Sequence, residues 1–517
     1  MRRLVRSALL GTGLALLMGG LLTPPVYAHG FGERYDLPVP LWLYLTGAAA
    51  AVALSFLVIS FFVRGTPGFR DYPRLNLLRW RAGRALIHPV VVIPIKVASV
   101  ALFLLVIVAG LVGSFLATEN LAPTLVWVLW WVGLAYVSAL VGNVWALINP
   151  WKIAFEWAQA LYRRLSHGER LGFNLPYPGK LGVWPGLLLF LSFAWVELVY
   201  VESALPARIA QMALIYSLIT WGGMLLFGKE QWLRYGEAFA IVFGFLARFA
   251  PTELRVTARE VCHSCPAECL DQDGLCIGCN DCFHKALPGQ RELNLRPFAV
   301  GLLRNEAVSP SVMAFVVLLL ATVTFDGFMA TPVWGNIILS LYDDIFSSFT
   351  TIFTLGLVAF PVILVGVYLG VSALMVAASG SRVPIGDMAR AFVYSLIPIA
   401  LAYHLAHYLS FLLIQGQRII PLASDPLGYG WNLFGTADYI VNIAIINARF
   451  AWITAVVAIV VGHIIAVYLA HAIALRMLGE RRPALRSQYP MLALMVGYTM
   501  VSLWIIAQPI VEIAPKG

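Results

Sequence analysis

The sequence predicts an all-α polytopic membrane protein. About ten transmembrane helices form two five-helix halves around a small cysteine-rich, metal-binding cytoplasmic loop. Three observations carry this reading. Of the 517 residues, 60% are hydrophobic and only 12% are charged, outside the range of soluble domains. Several apolar runs reach about 18 residues or more, the length that crosses a bilayer core. All six cysteines fall within twenty-one residues, from Cys262 to Cys282. The formal charge of +9 is not a nucleic-acid signal. It collects at the inner ends of the apolar runs, as the positive-inside bias requires.

In chain order, residues 1–28 read as a signal peptide. Arg2, Arg3 and Arg6 precede an apolar stretch at 8–22, and Val26-Tyr27-Ala28 is a small-residue cleavage site. Cleavage leaves His29 at the mature N-terminus, where its amine and imidazole together form a copper chelate. Spans follow at 39–63, 97–117, 122–147, 185–203 and 207–227, making the first half, 29–227. The cysteine-rich segment occupies 228–308. Spans at 309–328, 351–378, 391–414, 450–475 and 490–511 make the second half, 309–517.

Charge alternation orients these spans. The loop after the first carries Arg64, Arg70, Arg74, Arg79, Arg81 and Arg84 against Asp71. The loop after the third carries Lys152, Arg163, Arg164, Arg170 and Lys180; that after the ninth carries Arg476, Arg481, Arg482 and Arg486. The intervening loops are almost free of both residue types. The basic loops and the cysteine segment are therefore expected in the cytoplasm and the C-terminus outside, in a bacterial cytoplasmic (inner) membrane. Five spans per half set the halves in opposite orientations, as in inverted-repeat transporters. The stretch 237–250 is too short to span and reads as interfacial or re-entrant. The stretch 334–349 reads as an external amphipathic helix with Asp343 and Asp344 on its polar side.

The cysteine spacing is C-x2-C-x3-C-x6-C-x2-C-x2-C, through Cys262, Cys265, Cys269, Cys276, Cys279 and Cys282, with His263 and His284 alongside. A reducing cytoplasm disfavours structural disulfides and favours metal. Two C-x2-C knuckles suit tetrahedral zinc, because two intervening residues let a tight turn aim both sulfurs at one ion. Six thiols and two imidazoles make eight donors, the number that two zinc ions require. An iron–sulfur cluster is the alternative, since Cys276, Cys279 and Cys282 match three ligands of a ferredoxin run. The position of the usual fourth ligand is Lys285.

Four of the nine histidines lie inside predicted spans. His404 and His407 share one face of the eighth, beyond the helix-distorting Pro398. His463 and His471 lie on the antiparallel ninth. Ionisable groups at this depth are costly and point to function. Convergence of His404, His407 and His463 would hold copper, zinc or another transition metal, or would ligate a b-type haem with one imidazole from each helix. His471 is expected as a supporting residue or part of a proton path. Interhelical hydrogen bonding or proton relay is the reading without a metal. Asp326, Glu197 and Glu202 are candidates to extend a polar path. No G-x-S-x-G, Walker A or H-E-x-x-H motif occurs.

Three blocks are distinctive: HGFGERYDLPVPLWLY from His29, YHLAHYLSFLLIQGQRIIPLASDPLGYGWNLFG from Tyr403 and RSQYPMLALMVGYTMVSLWIIAQPI from Arg486. They resemble a family of bacterial polytopic membrane proteins named after fenitrothion hydrolase. The resemblance implies organophosphate hydrolysis, which metal-bound hydroxide generally performs; it assigns no catalytic residues.

The expected function is thus that of an integral membrane metalloprotein. A cytoplasmic zinc-binding cysteine cluster would accompany an intramembrane histidine site for metal handling or for hydrolytic or redox chemistry. The alternative is a membrane transporter with histidines as proton relay. Expected partners are the lipid bilayer, metal ions and other membrane subunits.

Overall fold

The computed structural model of the chain describes residues 35–63, 72–167, 171–262, 269–270, 274–304, 307–345 and 347–510. The signal segment, His29, His263, Cys265 and the C-terminal residues 511–517 lie outside them. Among the described residues, nine helices are long and apolar enough to cross a membrane. They include α1 (Leu41–Phe62), α2 (Pro89–Val112), α3 (Leu121–Leu140) and, beyond an amphipathic α4 (Pro150–Leu165) and a short α5 (Trp184–Leu198), α6 (Pro206–Phe227). A ten-residue α7 (Ala238–Ala247) follows. The remaining long helices are α8 (Pro310–Met329), α9 (Phe349–Ser379), α10 (Ile385–Ser424), α11 (Ala448–Leu478) and α12 (Arg481–Ile510). A helix over Pro332–Asp344 occupies most of the stretch expected as the external amphipathic helix.

α5 corresponds to the span expected at 185–203. It has 15 residues, about 22 Å of helix against a hydrocarbon core of about 30 Å. The chain turns after Leu198, and Pro206 starts α6 with φ already set for a helix. Glu202 ties the turn by accepting from Arg208 Nε at 2.6 Å and Tyr200 at 2.9 Å.

Two helices depart from regular α geometry. α3 winds through a wide π-helical stretch, Thr124–Gly133, and α10 tightens to a 3-10 turn at Val393–Leu396 just before Pro398. The expected distortion at Pro398 is therefore present. α7 is buried, with Glu237 capping its N-terminus through Phe239 N at 3.0 Å and Ala240 N at 2.7 Å. α8 is the central span, with 67% of its apolar window buried; α2 buries 6% and is peripheral.

The cysteine-rich segment is not all helix. It folds on a four-stranded antiparallel sheet of order β1-β4-β2-β3: β1 (Leu75–Asn76), β2 (Thr252–Val256), β3 (Cys276–Ile277) and β4 (Arg291–Leu295). Leu254 and Val256 alternate along β2 and pack with Leu293 of β4. β1 comes from the loop after α1, and Leu78 of that loop enters the same core as Cys262, Cys276, Cys282 and Phe283.

Contacts sort the connections into two ends. At one, Tyr35 N donates to Ile510 O at 2.9 Å and Ser114 N to Leu427 O at 2.7 Å. At the other, Thr252 Oγ1 donates to Val141 O at 2.5 Å, Arg476 Nη1 to Leu303 O at 2.6 Å and Arg481 Nη2 to Ser60 O at 2.9 Å. The sheet lies at this second end.

Candidate functional site

The eighth expected span, α10, places His404, His407 and Tyr408 within four residues, spread over adjoining faces of one helix. α8 supplies Asp326 opposite. His407 Nε2 lies 2.8 Å from Asp326 Oδ2, and the Tyr408 hydroxyl donates to the same oxygen. One carboxylate oxygen thus takes two partners from consecutive residues. His407 is 5% exposed. Tyr408 is 7% exposed and the Asp326 side chain 19%, so the carboxyl exchanges much of its hydration for protein hydrogen bonds.

Beside this pair is a cavity of about 30 Å³, lined by Trp131, Glu197, Asp326, His404 and Tyr408 together with apolar side chains that include Val242 and Leu246. Glu197 comes from the last turn of α5 and Trp131 from the π stretch of α3. The short α5 therefore ends its helix beside the polar groups. Both ring nitrogens of His404 are sealed from solvent and have no hydrogen-bond partner. The ring is held by edge contacts to Trp131 (centroids 6.4 Å) and Tyr136 (5.2 Å) and by Tyr408 at 4.8 Å. The Tyr136 hydroxyl donates to the His404 carbonyl at 3.1 Å. A small cavity, mostly apolar but with these polar groups in its wall and unpartnered nitrogens beside it, is where a water-sized hydrogen-bonding occupant fits.

The other membrane histidines go elsewhere. His463 is 1% exposed; its Nδ1 lies 2.8 Å from Ile459 O and its ring 6.1 Å from Tyr498 on α12. His471 is spanned by Gln488 Oε1 and Val63 O, each 3.0 Å away, and so ties α11 to α12 and to the end of α1. Glu202 sits in the exposed turn already described. Of the expected polar path, Asp326 and Glu197 join the histidines of α10, and Glu202 does not. Among the described residues, no group of three or more His, Cys, Asp or Glu side chains is placed to hold a metal ion, and this covers His404, His407 and His463.

In the thiol segment, Cys262, Cys269, Cys279 and Cys282 are in the thiol form, and Cys276 is disulfide-bonded. The disulfide departs from the expectation of none in a reducing compartment. Cys279 is in hydrogen-bond contact with Cys269 and Cys282. The Cys269 contact, with Arg234 beyond it, holds the Cys279 thiol down to about 5. Burial, with the neighbouring Cys279, pushes Cys282 up to about 12. Arg234 Nη2 stands 3.6 Å from Cys269 Sγ. His284 is on the exposed side of its short helix; burial beside Lys152 and Lys96 lowers its basicity.

Comparison of the chain with protein-family models, with curated proteins and with solved structures finds no match. The arrangement must therefore be read from its own chemistry. It offers two carboxyl groups, one imidazole and a phenol around a space of molecular-water size, with a second imidazole, His407, bonded to Asp326 behind them. Sequence reasoning did not single out Trp131 or Tyr136. An apolar helix gives no signal for which of its aromatics faces a histidine on a helix far along the chain, 268 residues on from Tyr136.

Proposed function

We propose that this is a multi-pass protein of the bacterial cytoplasmic membrane that relays protons through the Asp326 site, in the service of proton-coupled transport. The observation that carries the reading is the His407–Asp326–Tyr408 constellation beside a cavity that also receives Glu197 and the unpartnered ring of His404. Groups that exchange protons are assembled there at a depth where each is costly without a task.

Size favours the relay over the hydrolytic alternative at this site. A cavity of about 30 Å³ accommodates one or two waters, at about 10–15 Å³ each. An organic phosphotriester needs a pocket of about 300 Å³ or more. The organophosphate activity that the family resemblance implies would need a different place in the molecule.

Ten crossings support the same reading. β1, after α1, pairs with β4, after α6, so both loops belong on one side of the bilayer. That requires an even number of crossings between them. α2, α3 and α6 supply three, and α5 is the fourth. The halves then hold five crossings each and face opposite ways. The arginine-rich loop carrying β1 assigns the side as cytoplasmic.

For the thiol segment we keep zinc as the bound metal. Its support is the donor chemistry alone: Cys269, Cys279, Cys282 and Cys262 are soft ligands of the type zinc takes, although among the described residues these four do not themselves form a metal-holding group. Bound zinc would supply folding free energy to this small sheet.

The test of the relay uses the full-length protein in vesicles with an entrapped pH dye and an imposed potassium diffusion potential. Proton flux is expected in the wild type and its loss, by about 100-fold, in Asp326→Asn and Glu197→Gln. Vesicles in which wild type and variants match protein-free controls would end the proposal.

A further inference from the structure

The end of the molecule opposite the sheet carries a surface that neither the relay nor the thiol segment uses. Residues 426–448 join α10 to α11 and hold one charged side chain, Asp438. The segment is pinned to the end of α10. Ser424, the last residue of that helix, is buried, and its Oγ accepts from Phe434 N at 3.1 Å and Thr436 N at 3.3 Å. Asp425 closes the first turn by accepting from Tyr429 N at 2.9 Å and Gly430 N at 2.6 Å. Gln417 accepts from the Tyr439 hydroxyl at 2.8 Å and Asn442 N at 3.0 Å, and donates to Asn442 O at 3.1 Å. The backbone is thus fixed from both sides of its tip, with its polar groups bonded inward.

The apolar side chains are left outside. Phe434 is 71% exposed and Ile440 86%, and Trp431, Leu433 and Ile443 are exposed with them. The hydrogen bonds keep the segment from folding these side chains back onto the bundle. A contiguous apolar surface of this kind marks contact with a membrane or another protein.

Its borders identify the occupant. At one border the Tyr429 hydroxyl donates to the carbonyl of Val112, the last residue of α2. Gly428, at φ +73°, seats against Ser114, whose Cβ would stand 2.6 Å from an added Cβ. α2 is the peripheral span, and Leu111, Val112 and Phe115 at its exit are exposed. At the other border the segment enters α11. There Phe450, Ile453, Val457 and Val461 are exposed at spacings of three and four residues, one face of a helix. An exposed apolar face on a membrane-spanning helix faces lipid. The patch therefore runs between two lipid-facing edges. Tyr429, Trp431 and Tyr439 add the amphipathic rings that settle at headgroup level.

We infer that residues 431–445 form a rigid wedge seated in the bilayer leaflet at this end, with phospholipid as its ligand. Acyl chains cover Phe434, Ile440 and Ile443, and the headgroup zone meets Trp431 and Tyr439. The inference is independent of the relay. A protein partner is the competing occupant, and the lipid-facing borders on both sides favour lipid over it.

The test uses the full-length protein in vesicles of phosphatidylethanolamine and phosphatidylglycerol doped with a phosphatidylcholine that carries a photoactivatable diazirine on its acyl chain. After illumination, mass spectrometry maps the lipid adducts. Adducts are expected on Phe434, Ile440 and Ile443 at yields comparable to those on Ile453 and Val457 of α11. Combining Phe434→Asp with Ile440→Asp is expected to cut the yield over 431–445 by about tenfold while α11 stays labelled, because a carboxylate is costly among acyl chains. Should the double variant fail to reach the membrane, the wild-type map decides by itself. Labelling of α11 with none over 431–445 overturns the wedge, whether the segment then stands in water or is cross-linked to a second protein. Labelling of 431–445 that the two aspartates leave unchanged overturns it as well.

Discussion

At the scale of residues, the chain treats its buried charges in two ways. Glu253 on β2 is 4% exposed and fully engaged: Arg296 Nη1 donates at 2.7 Å, Arg74 Nε at 2.9 Å and the Tyr72 hydroxyl at 2.5 Å. Burial alone would raise its pKa, but Arg296, Tyr72 and Arg74 more than offset it and hold the carboxyl below its usual range. The sign follows. Stability from this clamp is fully present above the ordinary carboxylate range and is lost as pH falls through the depressed value. Glu253→Gln leaves Arg296, itself 3% exposed at the side chain, without its counter-charge. A loss of about 3–5 kcal/mol is expected. It would be read as a lower midpoint for protease cleavage within residues 252–295 of the intact protein on heating, and an unchanged midpoint would refute it. His404 is the opposite case, with nitrogens that no protein group satisfies. The sequence flagged Asp326, Glu197 and the histidines as isolated ionisable residues in apolar runs. It did not reveal that Asp326 meets His407, because that contact joins residues 81 positions apart through helix packing.

At the scale of elements, each of the nine long helices falls on an expected span, with the largest departures at the amino-terminal ends of the second and tenth, the carboxy-terminal end of the third and both ends of the eighth. Span length depends on little beyond bilayer thickness. The strands were missed for a physical reason. β1 and β3 are two residues each and have no periodicity to read, and β2 is stabilised by partners far downstream, Val256 by Arg291 and Thr252 by Leu295. The fourth span is the element where length misleads. α5 has 15 residues, yet in the proposed ten-crossing arrangement the pairing of β1 with β4 makes it a crossing. A crossing this short is tolerable where neighbouring helices rather than lipid cover its ends, and Trp195 Nε1 donating to Thr354 Oγ1 at 2.9 Å shows α9 doing so. Reporter fusions after Lys180 and after Ser203 should therefore report opposite sides, cytoplasm and exterior. The same side at both positions would remove α5 as a crossing and break the two-halves arrangement.

At the scale of the whole molecule, the thiol segment and the membrane site are joined through α7. Val242 and Leu246 on α7 line the cavity, and β2 begins at Thr252, six residues beyond Leu246. The connection is stiff. Arg248 lies over the Tyr394 ring at 4.5 Å from its centroid, Arg296 Nη2 donates to Arg248 O at 3.3 Å, and Ala299 N donates to Phe249 O at 2.8 Å. A sheet that loosens therefore releases one wall of the cavity. Alternating basic loops made the common side of these parts legible in the sequence; their mechanical link was not, because it rests on backbone contacts between separate loops. If zinc maintains the thiol segment, stripping it with a chelator should do two things in the intact, vesicle-embedded protein. Metal analysis should show zinc lost in stoichiometric amount, since binding there is coupled to folding. Proton flux should fall with it and return on adding zinc back, because the α7 wall is re-formed. Loss of zinc with flux unchanged would separate the two parts and show that α7 holds its place without the sheet.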